Sequence, residues 1–158
     1  MLIQVEIASF ALDPNRNTPV IILKEANGDR TLPVPIGPLE ASAIAIESLN
    51  VVPEKPLTID LVKIIMEQLG GSLSRVVISD MIEQSLLARI HVKNSTGISV
   101  IDCRPCDAIA LALRCNVDIF IDDRVFSHSS NDSSSEKEQL RRRIRSIDTI
   151  DFGKFFLE

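Results

Sequence analysis

Residues 98–121 read ISVIDCRPCDAIALALRCNVDIFI, and this stretch determines the fold expected for the chain. The β-branched residues of Ile98–Cys103 predict a strand. Pro105 then predicts the start of a helix, because the fixed φ of proline and its missing N–H suit the first helical position. The helix centre, Ala108–Leu113, is apolar on every side, which is typical of a buried helix. Val117–Ile121 predicts a further strand, so the helix connects two strands around one core.

Shorter strand and helix patterns precede this stretch. Apolar residues alternate with polar ones, as in a half-buried strand, or recur at the three-to-four-residue spacing of an amphipathic helix. The strands predicted in this way are Ile3–Ile7, Val20–Leu23, Thr31–Val34, Val76–Ile82 and Leu86–Val92. The first helix begins at Pro38, and the second follows Thr58, which is predicted to be its N-cap. The resulting order, βββ-α-α-βββ-α-β, contains hairpins rather than regular βαβ alternation. The predicted fold class is therefore α+β, with a mixed, largely antiparallel sheet packed with helices in a single compact domain.

Local patterns add three structural predictions. Asn27-Gly28 predicts a type I′ turn, in which both residues have positive φ. Pro33 cannot donate a ladder hydrogen bond, which places the third strand at a sheet edge. The apolar spacing of the two early helices predicts one apolar stripe on the first and a buried face on the second. These faces consist of Leu39, Ala43, Ile46 and Leu49 in the first helix and of Leu61, Ile64, Ile65 and Leu69 in the second.

The composition changes after Phe126, which divides the chain into a domain over residues 1–126 and a C-terminal part. Residues 127–135 are rich in serine and poor in apolar side chains, which predicts a mobile linker. Residues 136–158 are predicted to form a helix, from Glu136 to Ser146, and a tail that carries three of the six phenylalanines. Such a tail is expected to dock on the domain or on a neighbouring subunit.

The overall composition limits the class of protein. The length of 158 residues suits one domain, and an apolar fraction of 45% excludes a largely disordered chain. No apolar run approaches the ~20 residues that cross a bilayer and no signal-peptide pattern is seen, so we predict a cytoplasmic protein without a membrane partner. A net charge of −5 does not favour nucleic acid. Three cysteines, an odd number, argue against a disulfide scaffold.

Acidic residues near helix starts form the first candidate site. Asp107 and Asp60 lie in the first turns of their predicted helices, and carboxylates at such positions can converge on a divalent cation. Each also complements a helix dipole, which by itself accounts for an acidic residue there. Arg104 can clamp a phosphate beside Asp107, whereas Arg114 suits the C-terminus of the same helix.

Two other patterns allow different chemistry. Cys103 and Cys106 form a C-x-x-C motif between a strand and a helix, which is where a thiol redox pair would lie. A meander rather than a βαβ unit leads into the motif, which favours accidental proximity. The basic cluster at residues 141–145 can contact a nucleic acid backbone, although nearby acidic residues favour a solvated helix. The sequence contains no Walker loop and no G-x-S-x-G motif.

Four segments occur in order along the chain: residues 36–45 (IGPLEASAIA), 55–61 (KPLTIDL), 75–80 (RVVISD) and 102–114 (DCRPCDAIALALR). Together they resemble the bifunctional nuclease domain family, small bacterial and plant proteins credited with cutting both DNA and RNA. The resemblance covers about residues 1–126, and it implies an α+β fold that assembles as a homodimer or higher homo-oligomer. It also implies catalytic roles for Asp107, Asp60 and Glu40 and a phosphate-binding role for Arg104.

Three functions are therefore open. The resemblance favours a nuclease that acts on DNA or RNA, assisted by Mg²⁺ or Mn²⁺ with Asp107 and Asp60 as ligands. The net acidity favours a non-catalytic oligomeric binding or regulatory module, as does Ile59, which stands where the family commonly has histidine. The third function is a thiol redox protein that uses Cys103 and Cys106, although the family usually has serine at the second of these positions.

Overall fold

The computed structural model describes residues 1–83, 85–131, 142, 144–149 and 152. Within these ranges the chain forms one mixed sheet of eight strands and four helices, which confirms the predicted α+β class. The strands are β1 (Leu2–Asp13), β2 (Thr18–Glu25), β3 (Thr31–Pro35), β4 (Ser72–Ile82), β5 (Ser85–Asn94), β6 (Gly97–Cys103), β7 (Ile119–Asp122) and β8 (Arg145–Ile147). The helices are α1 (Pro38–Ser48), α2 (Thr58–Gln68), α3 (Pro105–Cys115) and α4 (Asp123–Asn131).

The strand order across the sheet is β3-β2-β1-β7-β4-β5-β6, and β8 pairs with the later part of β1. β4, β5 and β6 form the predicted antiparallel meander, and β3 lies at an edge, as Pro33 predicts. β7 lies in the middle, antiparallel to β1 and parallel to β4, with Ile119 opposite both Val5 and Val76. α3 therefore carries the chain from the edge strand β6 back over the sheet to its centre.

α3 is the central element of the helical layer. It packs on β4 and β5 and contacts both α1 and α2. Its buried residues are Cys106, Ala108, Ile109, Ala110, Leu111 and Ala112, which confirms the prediction of a buried helix. α1 turns Ala41, Ile44 and Ala45 towards the core. Because small alanines on both helices allow close packing, α1 and α3 lie side by side and bring their charged ends together.

The buried face predicted for α2 is wrong. The four residues of that face are all exposed: Leu61, Ile64, Ile65 and Leu69. The side of α2 that packs against the core instead carries Ile59 and Met66. Apolar residues occur on more than one side of α2, so their spacing cannot tell which side a neighbouring element covers. α2 lies against the flank of α3 and leaves an apolar face without a covering element among the described residues.

The apolar stripe predicted for α1 is only partly covered, since Ala43 and Ile46 are half-buried. α1 begins at Pro38, with Gly37 as its N-cap, as predicted. Leu39 and Leu49 are exposed, however, because α1 rests on α3 through its small residues. The larger apolar side chains at its two ends extend beyond that contact.

The connection between β2 and β3 differs from the predicted type I′ turn. Neither Asn27 nor Gly28 has positive φ. The strands are joined through five residues, and the Arg30 side chain donates two hydrogen bonds to the Glu25 carboxylate across this loop, from Nε at 3.0 Å and from Nη2 at 3.1 Å. The loop is therefore closed by a side-chain ion pair rather than by two left-handed residues.

The C-terminal part is described only in places. Residues 127–131 of the predicted linker continue α4, and residues 145 and 146 of the predicted C-terminal helix lie in β8 instead. Phe152 is fully buried, with its ring 4.5 Å from that of Phe10, so this part of the tail docks on the domain as predicted. Residues 132–141 and 153–158, with the other two tail phenylalanines, lie outside the described residues. The division into 1–126, 127–135 and 136–158 stays a prediction.

No helix in the described ranges combines the length and apolarity needed to cross a membrane.

Candidate functional site

Arg104, the N-cap residue of α3, connects two carboxylates at one end of the helical layer. Its Nε donates a hydrogen bond of 2.7 Å to Asp107 Oδ2, and its Nη2 donates one of 3.0 Å to Asp107 Oδ1. The same Nη2 donates a 2.7 Å hydrogen bond to Oε1 of Glu40. The arrangement joins α1 to α3 through a bidentate arginine–carboxylate pair and a third charged hydrogen bond. We call Glu40, Arg104 and Asp107 the α3 N-terminal cluster.

The local sequence explains why these three side chains meet. Glu40 lies in the first turn of α1 and Asp107 in the first turn of α3, where the helix dipole favours an anion. Both helices begin with proline, Pro38 and Pro105. They run side by side in the same direction, because α3 pairs with α1 both at its start, through Glu40, and at its end, through Glu47. The two starts therefore lie together, and Arg104 spans the gap between them.

Some N–H groups of Arg104 form no hydrogen bond with the described residues. Its side chain is 66% exposed, whereas that of Glu40 is 17% exposed. Nη1 donates no hydrogen bond to any residue in the described ranges. Hydrogen bonds from Arg104 to Asp107 and Glu40, together with their negative charges, raise the pKa of the guanidinium further above its usual value. Two N–H groups of a permanent cation therefore face solvent, where an anionic oxygen can approach.

Cys106 completes the set of possible ligand atoms at this end of α3. Its sulfur and one carboxylate oxygen each from Glu40 and Asp107 lie within 4.8 Å of one another. Two carboxylates suit a hard cation such as Mg²⁺ or Mn²⁺, whereas a thiolate suits a softer metal. Burial, followed by the charge of Asp107, raises the pKa of the Cys106 thiol. The carboxylates, rather than the sulfur, are therefore the groups that fit the predicted metals.

A second charged cluster lies at the opposite end of α3. Arg114 in its last turn pairs with Glu47, at the end of α1, and with Asp60, in the first turn of α2. Asp60 is buried, and its Oδ2 also accepts a 2.8 Å hydrogen bond from the backbone N–H of Leu57. Leu57, and not the predicted Thr58, is therefore the N-cap of α2. Hydrogen bonding to Glu47 raises the pKa of Arg114. We call Asp60, Glu47 and Arg114 the α3 C-terminal cluster.

The C-terminal cluster borders a small cavity between α1, α2 and α3. Its volume is about 10 Å³, which leaves room for about one water molecule. Ile59 also lines this cavity, and it stands where histidine is common in the family that the sequence resembles. A cavity of this size cannot admit a nucleotide, and the ion pairs of the cluster join the three helices around it.

The four site residues predicted from the sequence thus lie at two different ends of α3. Arg104 is in direct contact with both Glu40 and Asp107, and a shared role of the three in catalysis stays a prediction. Asp60 lies at the other end of α3, a helix of eleven residues that spans about 16 Å. Glu47, the partner of Arg114, is not among the residues predicted from the sequence, although its place two helical turns after Glu40 is a signal that both face α3.

The two cysteines of the C-x-x-C motif lack the properties of a redox pair. Burial raises the pKa of Cys103 to about 11, with a further contribution from the charge of Asp107. The pKa of Cys106 is raised as well, and both thiols are free. A catalytic thiol needs a lowered pKa, because the thiolate is the nucleophile. The start of α3 therefore does not activate these thiols, which counts against the redox function.

Comparison with known proteins gives the family. The model of the bifunctional nuclease domain matches residues 21–134, most of the chain and both clusters. The chain belongs to the bifunctional nuclease domain family. It is also 34% identical over 155 residues to two uncharacterized proteins of Mycobacterium tuberculosis, Rv1829 of strain H37Rv and MT1877 of strain CDC 1551 / Oshkosh. Each match covers 98% of this chain and 93% of the relative. The bifunctional nuclease domain, as matched, begins within β2 and ends beyond α4.

Proposed function

We propose that the protein is a nuclease that hydrolyses phosphodiester bonds of DNA or RNA at the α3 N-terminal cluster. The observation that carries the proposal is the position of Arg104, which holds two carboxylates while two of its N–H groups face solvent. A phosphodiester needs a donor for its non-bridging oxygens and a base for the attacking water, and the cluster contains both kinds of group. The family match is consistent with this chemistry.

In the proposed reaction, Nη1 of Arg104 donates hydrogen bonds to a non-bridging phosphate oxygen. A carboxylate of Asp107 or Glu40 removes a proton from a water molecule, whose oxygen then bonds to phosphorus. The bond from phosphorus to one ester oxygen breaks, and the proton passes to that leaving oxygen. Asp107, whose side chain is 41% exposed, is the more accessible base, while Glu40 is largely covered.

Mg²⁺ or Mn²⁺ would fit this cluster through Glu40 and Asp107. Either ion would neutralise charge that develops on the phosphate oxygens when bound there. Both carboxylates already accept hydrogen bonds from Arg104, which holds them in place for such an ion. Asp60 does not belong to this ligand set, because it pairs with Arg114 at the other end of α3.

One observation favours a second function, a non-catalytic binding module. The hydrogen bonds of Arg104 fasten α1 to α3, so the cluster contributes to the fold whether or not it acts on a substrate. On this alternative, a nucleic acid phosphate binds at Arg104 and is not cleaved.

A cleavage assay separates the two functions. Purified protein is incubated with labelled single-stranded DNA and RNA, with Mg²⁺, with Mn²⁺ and with EDTA. We expect wild-type cleavage and its loss in Asp107→Asn, which keeps the size of the side chain and removes the base. Asp122→Asn is the matched control, because Asp122 forms the same kind of bidentate pair, with Arg124, away from the cluster.

Cleavage by Asp107→Asn at the wild-type rate would remove Asp107 from the reaction. Binding of labelled nucleic acid without cleavage, weakened by Arg104→Met, would support the binding module instead. Retention of cleavage in EDTA would assign the reaction to the side chains without a metal ion.

A further inference from the structure

One face of the sheet carries a row of cationic side chains. α3 covers the other face of β4 and β5, where alternate residues of β5 belong to the core: Ala88, Ile90 and Val92. Since successive residues of a strand point to opposite faces, the side chains between them lie on the face that α3 leaves open. Arg75 of β4 is paired with His91 and shares this face. We call the following side chains the basic face: Arg75, Arg89, His91 and Lys93.

Positive charge is in excess on the basic face. Arg75, Arg89 and Lys93 are exposed, and neither Arg75 nor Lys93 forms an ion pair with any residue that the structure describes. Arg89 pairs with Asp102 of β6 at 2.8 Å, so three cations share one carboxylate. Burial lowers the pKa of His91, and the positive charges of Arg75 and Arg89 lower it further. Because the whole chain carries −5, the charge of this face is opposite in sign to that of the protein.

Acidic residues lie at the border of the basic face on the β1 side. Asp118, which precedes β7, accepts a 3.1 Å hydrogen bond from Gln4 of β1. Glu6 is on the same face as Gln4, since Val5 between them is buried. An anionic ligand is therefore favoured over β4, β5 and β6 and disfavoured over β1.

The basic face begins beside the α3 N-terminal cluster. Arg89 is paired with Asp102, which precedes Arg104 by two residues. One strand spacing of about 5 Å and two residues of about 3.3 Å each place the α carbon of Arg89 within about 12 Å of that of Arg104. The row then continues along β5 to Lys93, a further distance of about 13 Å. The cations therefore lead towards the residues proposed for cleavage.

We propose that the basic face binds the sugar–phosphate backbone of a nucleic acid strand whose scissile bond lies at the α3 N-terminal cluster. The inference rests on the proposed function, because it takes the bound strand to be the substrate of that cluster. Cations on alternate residues of β5 recur about every 6.8 Å. Such a row presents charge at regular intervals, as does a strand with one phosphate for each nucleotide.

A membrane surface fits the basic face less well. Peripheral binding to anionic lipid commonly uses an amphipathic helix, whose apolar side enters the bilayer boundary. Here the apolar side chains lie on a strand and are interspersed with the cations, since Ile98 is paired with Lys93 and Val100 with His91. Both are exposed, and they can contact sugars and bases of a strand whose phosphates bind the neighbouring cations.

Fluorescence anisotropy measures this binding without cleavage. Labelled phosphorothioate DNA and RNA single strands, which resist hydrolysis, are made about twenty nucleotides long to exceed one binding site. Arg75→Gln/Lys93→Gln should weaken binding of the full chain about tenfold at about 0.15 M salt, because each lost phosphate contact removes about 0.7 released counterions. Lys55→Gln/Lys63→Gln is the matched control, because it changes the net charge equally on and before α2, and it should bind as the wild type does.

Cleavage distinguishes a failure of this inference from a failure of the proposed function. Arg75→Gln/Lys93→Gln should lower kcat/KM on a long, unmodified strand about as much as it lowers binding. It should leave cleavage of a dinucleotide unchanged, because a dinucleotide has only one internucleotide phosphate. Binding that depends on Arg75 and Lys93 without any cleavage would refute the proposed function and support the basic face as a binding site.

Chemical footprinting on the wild-type chain covers the case in which the double variant does not fold. A bound strand should protect Lys93 from acetylation, whereas Lys55 should react at the same rate with and without the strand, as mass spectrometry can measure. Equal binding by the two double variants, or no protection of Lys93, would overturn the proposal. Binding to anionic lipid vesicles but to neither strand would overturn it in favour of a membrane surface.

Discussion

Asp60→Asn should destabilise the protein and leave catalysis by the folded fraction unchanged. The substitution removes the charge that pairs with Arg114 at a site where the Asp60 side chain is only 7% exposed. The amide oxygen of asparagine can still accept the hydrogen bond from the N–H of Leu57, so the α2 cap remains. The experiment therefore isolates the ion pair.

The structure gives the size of the effect. Removal of one partner from a buried ion pair costs about 3–5 kcal/mol. Arg114 keeps Glu47 as a partner and its side chain is 25% exposed, so we expect about half of that range, about 2 kcal/mol. For a domain of this length the melting temperature should fall by about 4–8 °C. Asp60→Ala also loses the cap and should cost about 1 kcal/mol more.

Urea unfolding followed by circular dichroism gives the free energy of unfolding for each variant, and cleavage is measured on the same preparations. Asp29→Asn is the control, because the Asp29 carboxylate is fully exposed and lies 3.8 Å from Lys24, so no stability change is expected. If Asp60→Asn had wild-type stability but no cleavage, Asp60 would be catalytic and the division into two clusters would be refuted.

Three further predictions concern single side chains. A Cβ at position 37 would overlap Oε2 of Glu40, so Gly37→Ala should displace that carboxylate from Arg104 and slow cleavage. The melting temperature should change by less than about 4 °C. An unchanged cleavage rate would exclude a role for Glu40. Burial holds the pKa of Cys103 at about 11, so alkylation of Cys103 at about pH 8 should be much slower in the native than in the urea-unfolded protein, as mass spectrometry can measure. Hydrogen bonds from Arg124 lower the pKa of Asp122 from 3.8 to about 2, so the unfolded state binds more protons between these values. The stability that Asp122 contributes should be complete above about pH 5 and should be lost as the pH falls towards 2, and Asp122→Asn should remove this part of the acid dependence of urea unfolding.

Local signals in the sequence predict most helix starts and strand positions. Pro38 and Pro105 mark the first residues of α1 and α3 because the constraint on proline acts on its own backbone and needs no distant partner. The meander of β4, β5 and β6 follows from short connections, which leave consecutive strands few alternatives to antiparallel pairing. The Arg104–Asp107 pair is predictable for the same reason, since its members are three residues apart on one helix.

Tertiary packing alone decided which helix faces are covered and which charges meet. Leu61 and Ile65 have the spacing of a buried stripe, but α3 lies against the other side of α2, and spacing within one helix carries no information about where its neighbour lies. Glu40 reaches Arg104 across 64 residues of chain because α1 and α3 run side by side in the same direction. Asp60 pairs with Arg114 instead, because the start of α2 lies beside the end of α3. Sequence thus determined the elements through interactions within a few residues. The sites depend on how those elements pack, which is set by side-chain contacts between residues far apart in the chain.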